Sequence, residues 1–191
     1  MVNSIQINLD ILNLTDEQFY CICENNRDLR LEKNAQGDLI IMPPTGGETG
    51  DRNSEINFQL RLWNKQYNLG KVFDSSTGFK LPNNAYRSPD AAWIPIEKWN
   101  TLTSEQRQKF LPLSPDFVIE LRSPSDSLKT LQDKMKEYIE NGTKLGWLIN
   151  RQDKQIEIYR QGKDTEILDN PQILSGETIL LNFTLDLTLI W

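Results

Sequence analysis

Histidine is absent from the 191-residue chain. Its absence removes Ser-His-Asp triads, His-assisted nucleases, histidine phosphotransfer and every zinc centre that needs imidazole. A metal would have to be held by oxygen, which favours Mg2+ or Mn2+. Cysteine is scarce: Cys21 and Cys23 are the only two, spaced so that on a predicted helix they point in different directions. Buried, reduced thiols are expected there, not a Cys-x-Cys metal or redox site. Long apolar runs are missing too. Segments such as Phe117-Val118-Ile119 fall far short of the ~18–20 residues that cross a bilayer, and MVNSIQINLD lacks a basic segment followed by an apolar one. The expectation is a cytoplasmic protein with no membrane partner. An excess of positive charge is also lacking: 21 Lys and Arg stand against 27 Asp and Glu, a formal net charge of −6. Strong nonspecific affinity for nucleic acid is not expected from that total, although Arg52, Arg61, Lys65 and Lys71 could form a local basic patch.

What is present is enough apolar sequence for one well-packed domain over residues 1–191, with no internal repeat and no linker. Thr15 and Gln18 form a capping-box signature opening a short helix that ends near Asn25-Asn26. Strands are predicted at 28–33 and 38–42, joined by a turn at Asn34–Gly37. A long helix follows Pro43-Pro44-Thr45-Gly46-Gly47, with Ile56, Leu60, Trp63 and Tyr67 as its apolar stripe and Gly70 as its stop. Further strands are expected at 71–74, 79–81 and 91–94. A helical insertion marked by Thr103 and Gln106 falls between Ile96 and Pro112, and the strand Phe117–Leu121 comes next. Ser123-Pro124-Ser125-Asp126 is read as the cap of a helix reaching about Asn141. Strands at 145–149, 155–160, 165–168, 178–181 and 185–190 complete an α+β arrangement with a mixed, mostly antiparallel sheet flanked by helices.

The strand from Asp116 to Arg122 carries the most chemical information. Strand periodicity sends Phe117, Ile119 and Leu121 to one face and Asp116, Val118, Glu120 and Arg122 to the other. Burying a carboxylate without a partner or metal costs several kcal/mol, so Glu120 on a core strand needs a reason. A surface face carrying a Glu120/Arg122 pair is the plainer reading of that strand alone. Thirty residues earlier, Asp90 opens the small apolar strand Ala91-Ala92-Trp93-Ile94. If the two strands are neighbours, Asp90 and Glu120 converge on one divalent ion; a simple Pro-Asp turn is the alternative. On the following helix Lys134 borders the apolar stripe of Leu128, Leu131, Met135, Tyr138 and Ile139, while Lys136 points away. Lys134 can lay its stem along the core and hold its ammonium in a shielded place, or snorkel to water.

This order of Pro-Asp, an acidic residue in an apolar strand and a nearby cation resembles the PD-(D/E)XK nuclease superfamily. More closely, the chain resembles the Uma-two family of restriction-endonuclease-like proteins. The phrases that carry the likeness are 39–46, 88–93, 115–126, and 134–138 leading to Asn141-Gly142 and 146–149. The resemblance implies a restriction-endonuclease-like core, with Asp90 as the motif aspartate and Glu120 as the acidic residue of the motif strand, together holding Mg2+ or Mn2+ with the Leu121 carbonyl. Arg122 departs from the pattern, standing where the motif lysine is expected. Arginine stays charged and is a poor proton acceptor, though it can clamp a phosphate. Lys134 is read as bringing the missing ammonium. Glu48 is the candidate for the additional acid on the first helix, Glu55 a second choice, and Glu32 a further residue lining the pocket or serving structure.

The implied activity is metal-dependent hydrolysis of DNA phosphodiesters by an endonuclease, with a homodimer suited to cutting two strands. One rival is a catalytically impaired scaffold that binds nucleic acid or a protein. Another is an interaction protein anchored by Trp63, Trp93 and Trp99.

Overall fold

The computed structural model describes residues 4–9, 12 and 14–191. Within the segment MVNSIQINLD, Met1–Asn3 and Asp10 lie outside the described residues. In chain order the elements begin with β1 (Ile5–Ile7), α1 (Asp16–Asn25), β2 (Arg30–Lys33), β3 (Leu39–Met42), α2 (Gly47–Tyr67), β4 (Gly70–Asp74) and β5 (Phe79–Lys80). Next come β6 (Tyr86–Arg87), β7 (Ala91–Pro95), α3 (Ile96–Asn100), α4 (Ser104–Gln108), β8 (Phe117–Leu121) and α5 (Leu128–Glu140). The chain continues through β9 (Leu145–Asn150), β10 (Gln155–Arg160), β11 (Glu166–Asp169), β12 (Ile173–Ser175) and β13 (Thr184–Asp186).

Three sheets result. A six-stranded sheet runs β11-β10-β9-β8-β7-β4, a five-stranded sheet runs β1-β3-β2-β6-β5, and β12 pairs with β13. Of the strands paired among the described residues only β8 and β9 are parallel, connected through α5. No helix among the described residues is long and apolar enough to cross a membrane.

The alternation read from Phe117–Leu121 explains why the six-stranded sheet is covered on both faces. Phe117, Ile119 and Leu121 join one core with Ile56, Leu60 and Trp63 of α2 and with Leu174, Phe183 and Leu185 from the C-terminal hairpin. Val118, Ala92, Ile94 and Leu148 join the other with Met135 and Tyr138 of α5. Fully burying side chains of this size is worth ~1.5–3 kcal/mol each, which fixes both helices against the sheet. Gly146 lets α5 come close, since a Cβ there would lie 2.5 Å from the Met135 methyl. Trp63 and Trp93 are core residues, and the half-buried Trp99 packs against Phe73. They are therefore spent on folding.

Both predicted capping boxes form, at Thr15/Gln18 and Thr103/Gln106. Several boundaries differ for local reasons. α2 ends at Asn68, which adopts the left-handed conformation (φ 51°), and Tyr67 is exposed. Gly70 serves a different need: a Cβ there would lie 2.1 Å from the Ile94 carbonyl oxygen across the β4–β7 ladder. The N-cap of α5 is Ser127, because Asp126 turns back to accept the Ser123 backbone N–H at 2.8 Å. Residues 178–181 form a turn, and the expected 185–190 strand is confined to β13. Cys21 is exposed and Cys23 half-buried, both as free thiols, because one turn of α1 cannot bury both positions.

Candidate active site

Asp90 sits immediately before β7, and β7 pairs with β8 antiparallel, Ala91 opposite Ile119. Extending the register by one residue brings Asp90 opposite Glu120, with both side chains on the α5 side of the sheet. The contact is direct: the Leu121 backbone N–H donates to Asp90 Oδ2 at 2.9 Å. From α2, Asn53 Nδ2 donates to Asp90 Oδ1 at 3.1 Å and Asn57 Nδ2 to the Asp90 carbonyl at 2.9 Å. Asp90 and Glu120 line one cavity of about 1100 Å3 together with Glu32, Asn53, Arg87 and Lys134.

Lys134 projects from α5 into this group. Its Nζ lies 2.9 Å from Glu120 Oε1 and 2.8 Å from Glu32 Oε1. Tyr138, one turn later on the same helix, donates its hydroxyl to Glu120 Oε1 at 3.1 Å. Glu32 reaches the cluster from β2 and also accepts the Ser88 backbone N–H at 2.9 Å. Its other oxygen pairs with Arg87 at 3.0 Å, and Arg87 Nε bonds Glu137 of α5 at 2.6 Å. Charge thus alternates along Glu120, Lys134, Glu32, Arg87 and Glu137, and no side chain in that series is more than 15% exposed.

This environment separates the three carboxylates. Burial drives Glu120 up to about 7, and the negative charges of Asp90 and Glu32 add to it against the opposing Lys134 ammonium. Burial also raises Asp90, which the Leu121 N–H and Lys134 only partly offset. Glu32 moves the other way: burial is outweighed by Lys134 and Arg87, which hold it down to about 2. Burial works against the Lys134 charge, yet Glu120 and Glu32 raise it above its ordinary value. Lys134 therefore stays an ammonium and acts as a donor.

The remaining expected residues fall elsewhere. Arg122 turns away, its guanidinium on Asn150 Oδ1 at 3.0 Å and the Asp126 carbonyl at 3.3 Å, with Asp153 at 3.5 Å. It ties the end of β8 to β9 and is not among the cavity's lining residues, so the surface Glu120/Arg122 pair does not form. Glu48 stands at the cavity rim with its side chain 81% exposed, 3.3 Å from Arg52 and 3.7 Å from Arg151. Glu55 accepts from Gln59 at 2.9 Å, away from the cavity. Sequence reasoning does not reach Arg87, Glu137, Tyr138 or Asn53. The spacing of Lys134, Glu137 and Tyr138 at i, i+3 and i+4 is the signal that marks one face of α5 as polar in a buried setting.

Two strands of a mixed sheet offering paired acids, with a cation from the following helix, define a restriction-endonuclease-like α+β protein. The chain belongs to the Uma2 family, whose model is described as "Putative restriction endonuclease" and matches residues 16–188. Among solved structures it is similar to one titled a "putative nuclease belonging to DUF820" from Anabaena variabilis. That likeness has a TM-score of 0.70 and 19% identity, covering 82% of this chain and 86% of the other. No curated protein matches the chain.

Proposed function

We propose that the protein is a divalent-metal-dependent endonuclease that hydrolyses DNA phosphodiesters, with Asp90 and Glu120 as metal ligands and Lys134 as the cationic catalytic residue. We read it as one domain over residues 1–191, acting in the cytoplasm, as a homodimer where two strands are cut. The observation that carries this reading is the β7–β8 register, which sets two carboxylates side by side with Lys134 on one of them.

The donor set suits Mg2+ or Mn2+. Acids outnumber cations among the residues lining the cavity, which favours a cationic ligand. Among the described residues no three acids or thiols stand close enough together to hold a metal on their own, Glu32 being engaged by Lys134 and Arg87, so the remaining positions would fall to neutral oxygens. Asn53 offers one: its Nδ2 is spent on Asp90, and its buried Oδ1 has no hydrogen-bond partner. The Leu121 carbonyl is the other candidate. When bound, a divalent ion supplies Lewis acidity toward a phosphoryl oxygen and activates water.

The protein's own groups do the positioning. Asn53 and the Leu121 N–H hold Asp90 at both oxygens, and Tyr138 fixes one oxygen of Glu120. Lys134, kept charged by its two carboxylates, orients the attacking water and donates to the phosphoryl oxygens as their charge grows. Glu32, anchored by Arg87 and the Ser88 N–H, stops Lys134 from collapsing wholly onto Glu120. The deciding trial is cleavage of duplex and single-stranded DNA with Mg2+ or Mn2+ by wild type and Asp90→Ala. Equal rates for the two proteins would refute the assignment.

A further inference from the structure

A second concavity, of about 600 Å3, lies along the outer side of α2 and is lined by Ser54, Asn57, Phe58, Arg61, Lys71 and Asp74 among others. At ~100° per residue, Phe58, Arg61, Leu62 and Lys65 share one face of α2, opposite the buried stripe of Ile56, Leu60 and Trp63. That outward face is unusual in two ways. Phe58 is 58% exposed and Leu62 54% exposed, although nothing in folding requires an aromatic there. The side chains of Arg61 and Lys65 make no hydrogen bond or ion pair among the described residues, and Lys71 only lies 5.9 Å over the Trp99 ring. In a chain of net charge −6, most other cations are tied to a carboxylate or a carbonyl oxygen. The acid in the groove, Asp74, is already engaged by the Ser76 N–H and hydroxyl at 2.9 and 2.5 Å.

The groove shares no lining residue with the larger cavity, but two of its residues reach the backbone beside Asp90. Asn57 lines it while donating to the Asp90 carbonyl at 2.9 Å, and Asp74 at its edge pairs with Ala91, the next residue after Asp90. We infer that this groove binds a single strand of nucleic acid on its way to or from Asp90, one base stacked on Phe58 and the backbone phosphates on Arg61 and Lys71. The inference deepens the nuclease reading and rests on it for the polarity of the path. Charge complementarity selects the occupant: cations left without counterions suit a polyanion, and a lone exposed ring offers a base a face to stack on. An intact duplex keeps its bases stacked on one another and cannot use Phe58, so the groove favours unpaired strands.

The test is fluorescence anisotropy of a dye-labelled oligodeoxythymidylate with EDTA present, which separates binding from cleavage. Phe58→Ala is expected to weaken binding about tenfold and Phe58→Trp to retain it, since the first removes the stacking face and the second keeps it. Replacing Arg61 and Lys71 together by Gln is expected to reduce the slope of log affinity against log salt by about 1.4, roughly 0.7 for each phosphate no longer neutralised. Unchanged affinity and slope in these variants would overturn the proposal, as would preference for a duplex of matching sequence. So would a dimer in light scattering that Phe58→Ala converts to monomer, which would make this face a subunit interface. Asp90→Asn is expected not to weaken binding. If Asp90→Asn cleaves like wild type while Phe58→Ala fails to bind the oligonucleotide, the nuclease reading fails and the groove stands.

Discussion

The floor of the large cavity and the outer face of α2 treat charge in opposite ways. In the cavity floor each cation is locked between carboxylates: Lys134 between Glu120 and Glu32, Arg87 between Glu32 and Glu137. On α2, Arg61 and Lys65 reach solvent without a counterion among the described residues. The first arrangement is rigid and expensive to break, because removing one member strands a buried charge. The second costs folding almost nothing and leaves the cations available. A charged group committed to structure and one held in reserve for a ligand can thus be told apart by their partners, even on neighbouring elements.

Substitution of Asp90 by Asn or Glu120 by Gln should produce the largest change, a fall in DNA cleavage of about 10²–10³-fold or more at saturating Mg2+, measured with purified protein and labelled DNA. A small effect would mean that the cavity's acids serve folding alone. Glu32→Ala should cost ~3–5 kcal/mol in urea unfolding, because Lys134 and Arg87 lose the carboxylate they share. Isothermal titration with Mg2+ should show Asn53→Ala binding about 10–100-fold more weakly, the size typical of losing a group that orients a ligand or completes its shell. The pH dependence sharpens the same contrast. Glu32 titrates near 4.5 when unfolded and at about 2 when folded, so its stabilisation is fully present above pH 4.5 and is lost as pH falls toward 2. The stability advantage of wild type over Glu32→Gln should therefore shrink across that acid window. On α2, Phe58→Ala and Arg61→Gln should each shift stability by less than ~0.5 kcal/mol, since neither side chain is part of a core or a network.

Sequence alone carries the parts of this picture that are local. The Phe117, Ile119, Leu121 alternation locates the strand with the acid, and the capping boxes at Thr15 and Thr103 locate two helix starts. The pairing of β7 with β8 is only a supposition at that level, and the structure places Asp90 and Glu120 opposite each other. What escapes is held together over distance. Arg87 lies on a strand of only two residues, too short for any periodicity to register, and its partners come from β2 and α5. Glu32 stands out as a pocket candidate, but its link to Lys134 spans 102 positions of sequence and leaves no local trace. Arg122 misleads because strand alternation holds one residue less far than its pattern suggests: beyond Leu121 its backbone still bonds Ile149, but its side chain swings to Asn150. Asn68 rather than Gly70 ends α2 because the helix stop and the close strand contact are separate demands that both favour glycine-like positions.

The parallel pairing of β8 with β9 bears on how the molecule is made. Parallel neighbours cannot be joined by a tight hairpin, so α5 is the crossover that links Leu121 to Leu145, and Lys134 lies on it. A nascent chain extended only through Leu121 already contains both acids but has not yet synthesised the lysine that neutralises one of them. A product terminated before Lys134 would therefore carry the acids without their cation.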